Sequence, residues 1–232
     1  MSRNGVLEVQ DLAGGYGEIT VVRGLSLSVK QGQAVFLTGR NGVGKSTLAK
    51  LVAGHLPATA GTIRFDGKDF TSQPDHARRP AGLGYAPQES TVFDTLSILE
   101  NLTLPYDDRD LSRYNELFLL FPRIKDRLTQ LAGTLSGGEK KILSFCRAIG
   151  EETRLVVMDE PSEGVQPENI DRMGAMLEQE KTRGRSFLIV EQNLTLVEHV
   201  ADHAYLLDHG ECVFETQRSP NMRQMLSDRL NL

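Results

Sequence analysis

Cysteine is scarce in this sequence, and the two cysteines present are not spaced like metal ligands. Cys146 and Cys212 are far apart in a chain of 232 residues. Isolated cysteines of this kind are most often reduced thiols that pack as small apolar side chains. We therefore expect no disulfide and no cysteine-based metal site.

Long apolar runs and an excess of basic residues are missing as well. No run approaches the roughly 20 apolar residues that span a bilayer, and Met1 to Gln10 lacks the basic start and apolar centre of a signal peptide. The net charge is −5, with acidic and basic residues interspersed, so no face dense in Lys and Arg is expected. These absences predict a cytosolic protein for which nucleic acid is not a direct partner.

One glycine-rich stretch fills every fixed position of the phosphate-binding pattern GxxxxGK[ST]. The apolar run Ala34 to Leu37 before it predicts a buried strand, and Ser46 to Ala53 predicts the helix that the pattern requires after it. Lys45 would reach the β- and γ-phosphates, and the Ser46 hydroxyl would face Mg²⁺. The predicted nucleotide-binding residues are Gly39, Arg40, Asn41, Gly42, Val43, Gly44, Lys45, Ser46 and Thr47.

Alternating polarity predicts an antiparallel β layer at the start of the chain. Leu7 to Leu12 and Val21 to Val29 alternate apolar and polar residues, as half-buried strands do. Further strands are expected at Thr62 to Phe65 and at Leu83 to Gln88, where Pro87 ends the pairing. The polar segment Thr71 to Pro80 between them is expected to be exposed.

Helical patterns dominate the middle of the chain, and strands alternate with helices after it. Ser97 to Glu100 has the spacing of a capping box, which predicts a helix start. Two more helices are predicted at Arg113 to Leu120, with Pro122 as an interruption, and at Ser136 to Ile149. The later predicted elements are strands Leu155 to Met158, Ser186 to Val190, Ala204 to Leu207 and Glu211 to Glu215, and helices Ile170 to Thr182, Asn193 to Ala201 and Pro220 to Leu232. This alternation predicts a parallel sheet with helical crossovers.

Two acids follow the predicted buried strand Leu155 to Met158. Carboxylates at the carboxyl end of such a strand lie at the ligand face of an open α/β sheet. Asp159 would hold Mg²⁺ through water, and Glu160 would accept a proton from a water that attacks the γ-phosphate. Two solvated loop acids are the alternative, although four apolar residues before them and Pro161 after them favour a buried site.

A third phosphate-binding element is predicted where Leu135 to Glu139, LSGGE, opens a helix. A capping Ser followed by two glycines makes an anion-binding helix N-terminus. Ser-Gly-Gly alone is also a common linker fragment. Its position about 20 residues before the acidic strand favours a phosphate-binding role.

The three elements, in this order and spacing, resemble those of the ATPase subunits of ABC transporters over essentially the whole chain. Tyr16 matches the aromatic residue that stacks on adenine, Gln88 matches the glutamine that senses Mg²⁺, and Arg147-Ala148 matches the pair after the signature. The resemblance implies an α/β P-loop NTPase fold with a RecA-like, mainly parallel core, an N-terminal antiparallel β layer and an inserted helical signature subdomain. It also implies one ATPase domain over 1–232, with the core at 1–88 and 153–232 and the helical subdomain at 89–152.

In that family, two ATPase domains pack head to tail and the signature of each covers the γ-phosphate bound by the other. The resemblance therefore implies that Ser136, Gly137, Gly138 and Glu139 act in trans. It implies Glu160, Gln192 and Gln88 as catalytic residues, and Ser46, Gln88 and Asp159 at Mg²⁺. The implied partners are a second ATPase subunit, two membrane-spanning permease subunits contacted near Gln88 to Leu102 and, indirectly, a solute-binding protein. The implied location is the cytoplasmic face of the cell membrane.

Three positions depart from the family pattern. Glu139 replaces the usual signature glutamine, and Pro161 to Pro167 replaces a segment that normally carries a Leu-Asp pair. Gln192 stands where a His normally contacts the γ-phosphate, and a neutral amide makes a weaker contact than a charged group. Val190 to Asn193 and Glu163 to Pro167 resemble the second ATPase of branched-chain amino acid importers and their urea or short-chain amide relatives. Such importers pair two different ATPase chains, so a heterodimer is expected.

Other residues and functions remain as alternatives. His199 and His203 would share one helix and could hold a metal, but surface histidines are the simpler interpretation. Arg78-Arg79 is predicted to be a solvated pair. A soluble ABC-type switch not tied to transport would need basic extensions or a second cassette. A regulatory module with little turnover is suggested only by Gln192.

Overall fold

The computed structural model describes residues 5–89 and 92–230. Residues 1–4, 90, 91, 231 and 232 therefore lie outside the described residues. They belong to the start of Met1 to Gln10, to the segment Gln88 to Leu102 and to the end of the predicted C-terminal helix. Within the two described ranges, no helix is both long and apolar enough to cross a membrane.

The elements follow one another in the alternation that the sequence predicts. The strands of the described residues are β1 (Gly5–Tyr16), β2 (Ile19–Lys30), β3 (Ala34–Thr38), β4 (Ala58–Phe65), β5 (Lys68–Asp69), β6 (Leu83–Ala86), β7 (Leu155–Asp159), β8 (Ser186–Val190), β9 (His203–Asp208) and β10 (Glu211–Gln217). The α-helices are α1 (Lys45–Ala53), α2 (Asp75–Arg78), α3 (Ile98–Thr103), α4 (Asn115–Leu120), α5 (Pro122–Asp126), α6 (Gly137–Gly150), α7 (Pro167–Thr182), α8 (Leu194–Val200) and α9 (Met222–Leu230).

The strands form two sheets. The first has the order β2-β1-β4-β5 and is antiparallel throughout, which confirms the predicted N-terminal layer. The second has the order β10-β9-β3-β8-β7-β6. Its pairs are parallel except for the edge pair of β9 and β10. The carboxyl ends of β3, β7 and β8 therefore meet at one edge of this sheet.

Strand β3 is apolar throughout because both faces of the second sheet are covered. Successive side chains of a strand point to opposite faces. Val35 and Leu37 belong to the hydrophobic cluster of the first sheet and α1, whereas Phe36 belongs to the cluster of α6, α7 and α8. The strand is consequently held from both sides, directly before the glycine-rich loop.

Several predicted bounds are corrected by pairing. The strand predicted from Thr62 begins at Ala58, because Ala58 and Ala60 continue the antiparallel pairing with β1. The strand predicted to reach Gln88 ends at Ala86. The predicted interruption at Pro122 is confirmed, because α4 ends at Leu120 and Pro122 occupies the first turn of the separate helix α5, where its missing N–H needs no partner.

The prediction of a solvated Arg78-Arg79 pair is wrong for Arg78. Its side chain is 2 % exposed, and its guanidinium donates to the carbonyl oxygens of Val52, Phe70 and Gln73 at 2.5 to 3.0 Å. Burial lowers the pKa of Arg78 to about 10. Arg78 thus caps the last turn of α1, because a helix C-terminus leaves carbonyl groups without helical partners.

The remaining expectations about cysteine and histidine are corrected in part. Both cysteines are free thiols, but only Cys146 is buried and packs in the core, whereas Cys212 is exposed. His203 lies in β9, stacked on Tyr205 at 4.4 Å between ring centroids, and does not share the helix of His199. A metal site built from two histidines of one helix is therefore ruled out.

Candidate active site

The glycine-rich loop turns from the carboxyl end of β3 into the N-terminus of α1. Gly39 has φ 147°, and a Cβ at this position would lie 2.4 Å from the Leu207 carbonyl oxygen. Only glycine fits, because no real Cβ contact is so short. The N–H groups at the start of α1 are left free to face an anion.

Lys45 is held inside this loop. Its side chain is buried, and Nζ donates to the carbonyl oxygens of Gly39 at 3.0 Å and Arg40 at 2.9 Å. Burial lowers the pKa of Lys45, and the carboxylates of Glu160 and Asp159 oppose that shift. The ammonium therefore lies within the loop, and its contact with the β- and γ-phosphates stays a prediction.

Asp159 lies beside the start of α1 with one of its oxygens unpaired. The Ser46 hydroxyl donates to Oδ1 at 3.0 Å, whereas Oδ2 is buried without a hydrogen-bond partner. Burial raises the pKa of Asp159. A hydroxyl and a carboxylate with an unsatisfied oxygen are donors that suit Mg²⁺, which binds few protein oxygens and fills its other positions with water and phosphate. The described residues contain no cluster of three or more His, Cys, Asp or Glu side chains that would favour another metal.

Glu160 has an unusual backbone and a carboxylate held on both sides. Its φ is 49°, in the left-handed region that costs a non-glycine residue about 1–3 kcal/mol. Its N–H donates to the Val190 carbonyl oxygen at 2.9 Å. Gln88 Nε2 donates to Oε2 at 2.8 Å, and Gln192 Nε2 donates to Oε1 at 2.6 Å. Each carboxylate oxygen is thus oriented by a neutral amide.

Gln192 also connects Glu160 to the phosphate loop. Its Nε2 donates to Asn41 Oδ1 at 2.6 Å. The adjacent Glu191 is buried, and its carboxylate accepts from the N–H groups of Gln192 and Asn193 at 2.8 and 2.9 Å and from the Ser162 hydroxyl at 2.7 Å. Burial raises the pKa of Glu191. The loop that carries Gln192 is consequently fixed to the segment after Glu160.

Tyr16 lies at the end of β1 and offers an open aromatic face. Its side chain is 47 % exposed, and its hydroxyl accepts from Lys50 Nζ of α1 at 3.3 Å. An exposed ring next to the phosphate-loop helix agrees with the predicted stacking on adenine, which stays a prediction.

The signature lies at the start of α6 and makes its own set of hydrogen bonds. Ser136 and Glu139 form a capping box at the start of α6: Ser136 Oγ accepts from the Glu139 N–H, and the Glu139 carboxylate accepts from the Ser136 N–H at 3.0 Å. The hydrogen bonds from Ser136 lower the pKa of Glu139, and Arg127 Nη1 lies 2.9 Å from its carboxylate. A groove of about 1050 Å³ runs past the start of α6, between α5 and the start of α7.

The predicted site residues therefore fall into two groups. The phosphate loop, Gln88, Asp159, Glu160 and Gln192 are joined by hydrogen bonds. Across residues 5–89 and 92–230, no hydrogen bond joins Ser136, Gly137, Gly138 or Glu139 to the phosphate loop.

The contacts that three residues make at the site were not predicted from the sequence. Lys141 Nζ donates to the carbonyl oxygens of Gln88 and Glu160. Glu191 orders the Gln192 loop, and its position directly after a buried strand was the available signal. Arg40 donates through Nε and Nη2 to the Leu230 carbonyl oxygen at 3.2 and 3.1 Å, at the end of α9. Nothing in the sequence pattern links Arg40 to a residue 190 positions away.

Comparison with known proteins identifies the family. The ABC transporter family model matches residues 22–163. The high-affinity branched-chain amino acid transport ATP-binding protein BraG of Pseudomonas aeruginosa is 36 % identical over 202 residues, which cover 85 % of this chain and 87 % of BraG. The lipopolysaccharide export system ATP-binding protein LptB of Escherichia coli is 34 % identical over 214 residues, which cover 89 % of this chain and 88 % of LptB.

Solved structures give the same answer for the fold. A nucleotide-free ATP-binding cassette from an ABC transporter superposes with a TM-score of 0.82 at 26 % identity, covering 97 % of this chain and 96 % of that cassette. The P-loop NTPase fold expected from the sequence is confirmed. This chain therefore belongs to the ABC transporter family as an ATP-binding subunit that hydrolyses ATP.

Proposed function

We propose that this chain drives import of a small polar solute, namely a branched-chain amino acid, urea or a short-chain amide, through separate membrane subunits. The observation that carries the proposal is the loop Val190 to Asn193, in which Gln192 replaces the usual histidine and is fixed by Glu191. Similarity to BraG, whose name states branched-chain amino acid transport, supports it. The similar identity to LptB, named for lipopolysaccharide export, leaves the solute to experiment.

In the proposed reaction, Lys45 and the N–H groups of the phosphate loop bind the phosphates of ATP. Glu160 accepts the proton of the attacking water, and Gln88 and Gln192 orient its two carboxylate oxygens. Tyr16 stacks on the adenine. Ser46 and Asp159, with Gln88, would hold Mg²⁺, which when bound neutralises phosphate charge.

The second part of the proposal concerns pairing. Because no described hydrogen bond joins the signature to the phosphate loop of its own chain, we propose that it serves a second ATPase subunit that packs head to tail. Ser136 and Gly138 would then face the γ-phosphate bound by that subunit. We propose that the second subunit is a different chain, and that two permease subunits contact the segment near Gln88 to Leu102 at the cytoplasmic face of the membrane.

Reconstitution tests the transport function. The chain is co-expressed with its genomic neighbours, and the purified complex is placed in vesicles with a candidate solute-binding protein. We expect two membrane subunits to co-purify, and the liganded binding protein to stimulate ATP hydrolysis. The matched control is the complex that carries Glu160→Gln. Hydrolysis by the chain alone that is unaffected by membrane subunits and binding protein would contradict the proposal and favour a soluble switch.

A further inference from the structure

Lys141 occupies an unusual position for a lysine next to a signature. It lies in the second turn of α6, and its side chain is 13 % exposed. Nζ donates to the Gln88 carbonyl oxygen at 2.9 Å and the Glu160 carbonyl oxygen at 3.0 Å, and it lies 3.5 Å from the Glu163 carboxylate. One ammonium group therefore contacts three residues from two segments of the site.

The two carbonyl groups belong to residues whose side chains also bind each other. Gln88 Nε2 donates to the Glu160 carboxylate at 2.8 Å and to the Glu163 carboxylate at 3.2 Å. The direction of the Glu160 carbonyl depends on a left-handed backbone that other contacts must maintain. A charged donor at that carbonyl stabilises this conformation, because charge-assisted hydrogen bonds are about twice as strong as neutral ones.

A second contact brings α6 against the same segment. A Cβ on Gly138 would lie 2.6 Å from the Gly164 carbonyl oxygen, so the signature backbone packs directly on the residues after Glu160. Gly138 and Lys141 are three positions apart and therefore lie on one side of the helix. The start of α6 is thus joined to the Glu160 to Gly164 segment by packing at one point and by hydrogen bonds at another.

We propose that Lys141 is a positioning residue for hydrolysis, which sets the Glu160 carboxylate and the signature helix in a fixed relation to each other. Its ammonium acts through the Gln88 and Glu160 carbonyl groups. The inference that Lys141 positions Glu160 of its own chain requires only that the chain hydrolyses ATP. The further consequence, that it couples this site to the nucleotide covered by the same chain's signature, rests on the proposed head-to-tail pair.

The neighbouring Lys140 provides a matched control. It belongs to the same helix turn, but its Nζ lies 2.8 Å from the Asp94 carboxylate at the surface and makes no hydrogen bond to Gln88 or Glu160. Removal of either lysine changes the helix and the net charge equally. Only removal of Lys141 leaves two carbonyl groups of the site without their donor.

The test compares Lys141→Met, Lys141→Gln, Lys141→Arg and Lys140→Met in the full chain, with ATP affinity, kcat, KM and thermal unfolding measured for each. We expect kcat of Lys141→Met to fall about 10- to 100-fold, the size expected when a reacting group is misplaced by about 1 Å. Its ATP affinity and KM should stay within about twofold of wild type, because the phosphate-binding groups are untouched. Lys141→Arg should recover most of kcat, Lys141→Gln part of it, and Lys140→Met should match wild type.

Three results would overturn the inference. They are a kcat within about twofold of wild type in the folded Lys141 variants, an equal loss in Lys140→Met, or a KM that rises while kcat is unchanged. Because Arg and Gln keep a donor for the carbonyl groups, the comparison holds even where Lys141→Met fails to fold. Failure of the proposed pairing would be seen in a separate experiment: Glu160→Gln mixed with its partner subunit and ATP would stay monomeric, whatever the Lys141 variants do.

Discussion

Two helix N-termini among the described residues carry glycines and are predicted to bind phosphate, yet they differ in the charged side chain that lies at each. The start of α1 holds a buried ammonium, Lys45, within the turn. The start of α6 holds a carboxylate, Glu139, whose capping box already uses the Ser136 hydroxyl and N–H. A carboxylate in the first turn offsets the positive potential that a phosphate needs. We therefore expect the α1 end to be complete as a phosphate site, whereas in the proposed pairing the α6 end would need a nucleotide presented by another subunit.

The largest effect is expected where the complete site loses its cation. Lys45→Ala should lower kcat/KM for ATP by about 1000-fold or more, because the other cation of the loop, Arg40, donates to the Leu230 carbonyl oxygen and does not replace the buried ammonium. ATP affinity, measured by calorimetry, should become undetectable in the micromolar range. Lys68→Ala, at an exposed position of β5, serves as the control. Normal ATP affinity in Lys45→Ala would show that the α1 end does not depend on its lysine.

The second largest effect separates ATP binding from ATP hydrolysis at the α1 end. Glu160→Gln should lower kcat by about 100- to 10,000-fold, the usual contribution of a general base, with ATP affinity preserved. With its partner subunit, it should accumulate ATP-bound pairs that elute at twice the mass in gel filtration. Glu211→Gln in the edge strand is the control. Hydrolysis by Glu160→Gln at the wild-type rate would show that Glu160 is not the general base.

The third variant tests whether the α6 end works only in trans. Ser136→Arg should abolish ATP-driven pairing, because a long side chain would fill the face on which the partner's γ-phosphate must lie. ATP affinity at Lys45 should stay unchanged. Light scattering with and without ATP measures the pairing, with Ser219→Arg as a surface control. A Ser136→Arg chain that also loses ATP affinity would mean that the two ends are not independent.

The smallest effect concerns the charge of Glu139. Glu139→Gln keeps the capping box and removes a negative charge, so ATP-driven pairing should tighten by about two- to fivefold at low salt and less at high salt. Glu139→Ala removes the side-chain half of the box and should cost up to about 1 kcal/mol of unfolding free energy, the typical value for a lost helix cap. Because the folded pKa of Glu139 is lowered, this stabilisation is present above the ordinary value of 4.5 and is lost as pH falls through the lowered pKa. Denaturation curves at pH 3 and pH 7 measure it.

The α1 end could be predicted from the sequence because every determinant there is local. Its glycines, its lysine and the apolar strand before it lie within about a dozen positions, and Asp159 and Glu160 follow a strand that periodicity identifies. Arg78 could not be predicted, because its burial depends on carbonyl groups of α1 and of the residues around Phe70. His203 was misplaced because its strand is defined by pairing with β3 and β10. Lys141 gave no signal, since a lysine in an early helical turn is ordinarily solvated.

The contact between Arg40 and the Leu230 carbonyl oxygen has a practical consequence. It joins the second residue of the phosphate loop to the last turn of α9, whose Met222 and Leu226 are buried against the body of the protein. A purification tag or fluorescent fusion attached after α9 would therefore lie close to the phosphate loop. A probe attached near Leu230 is therefore expected to report on the state of the loop.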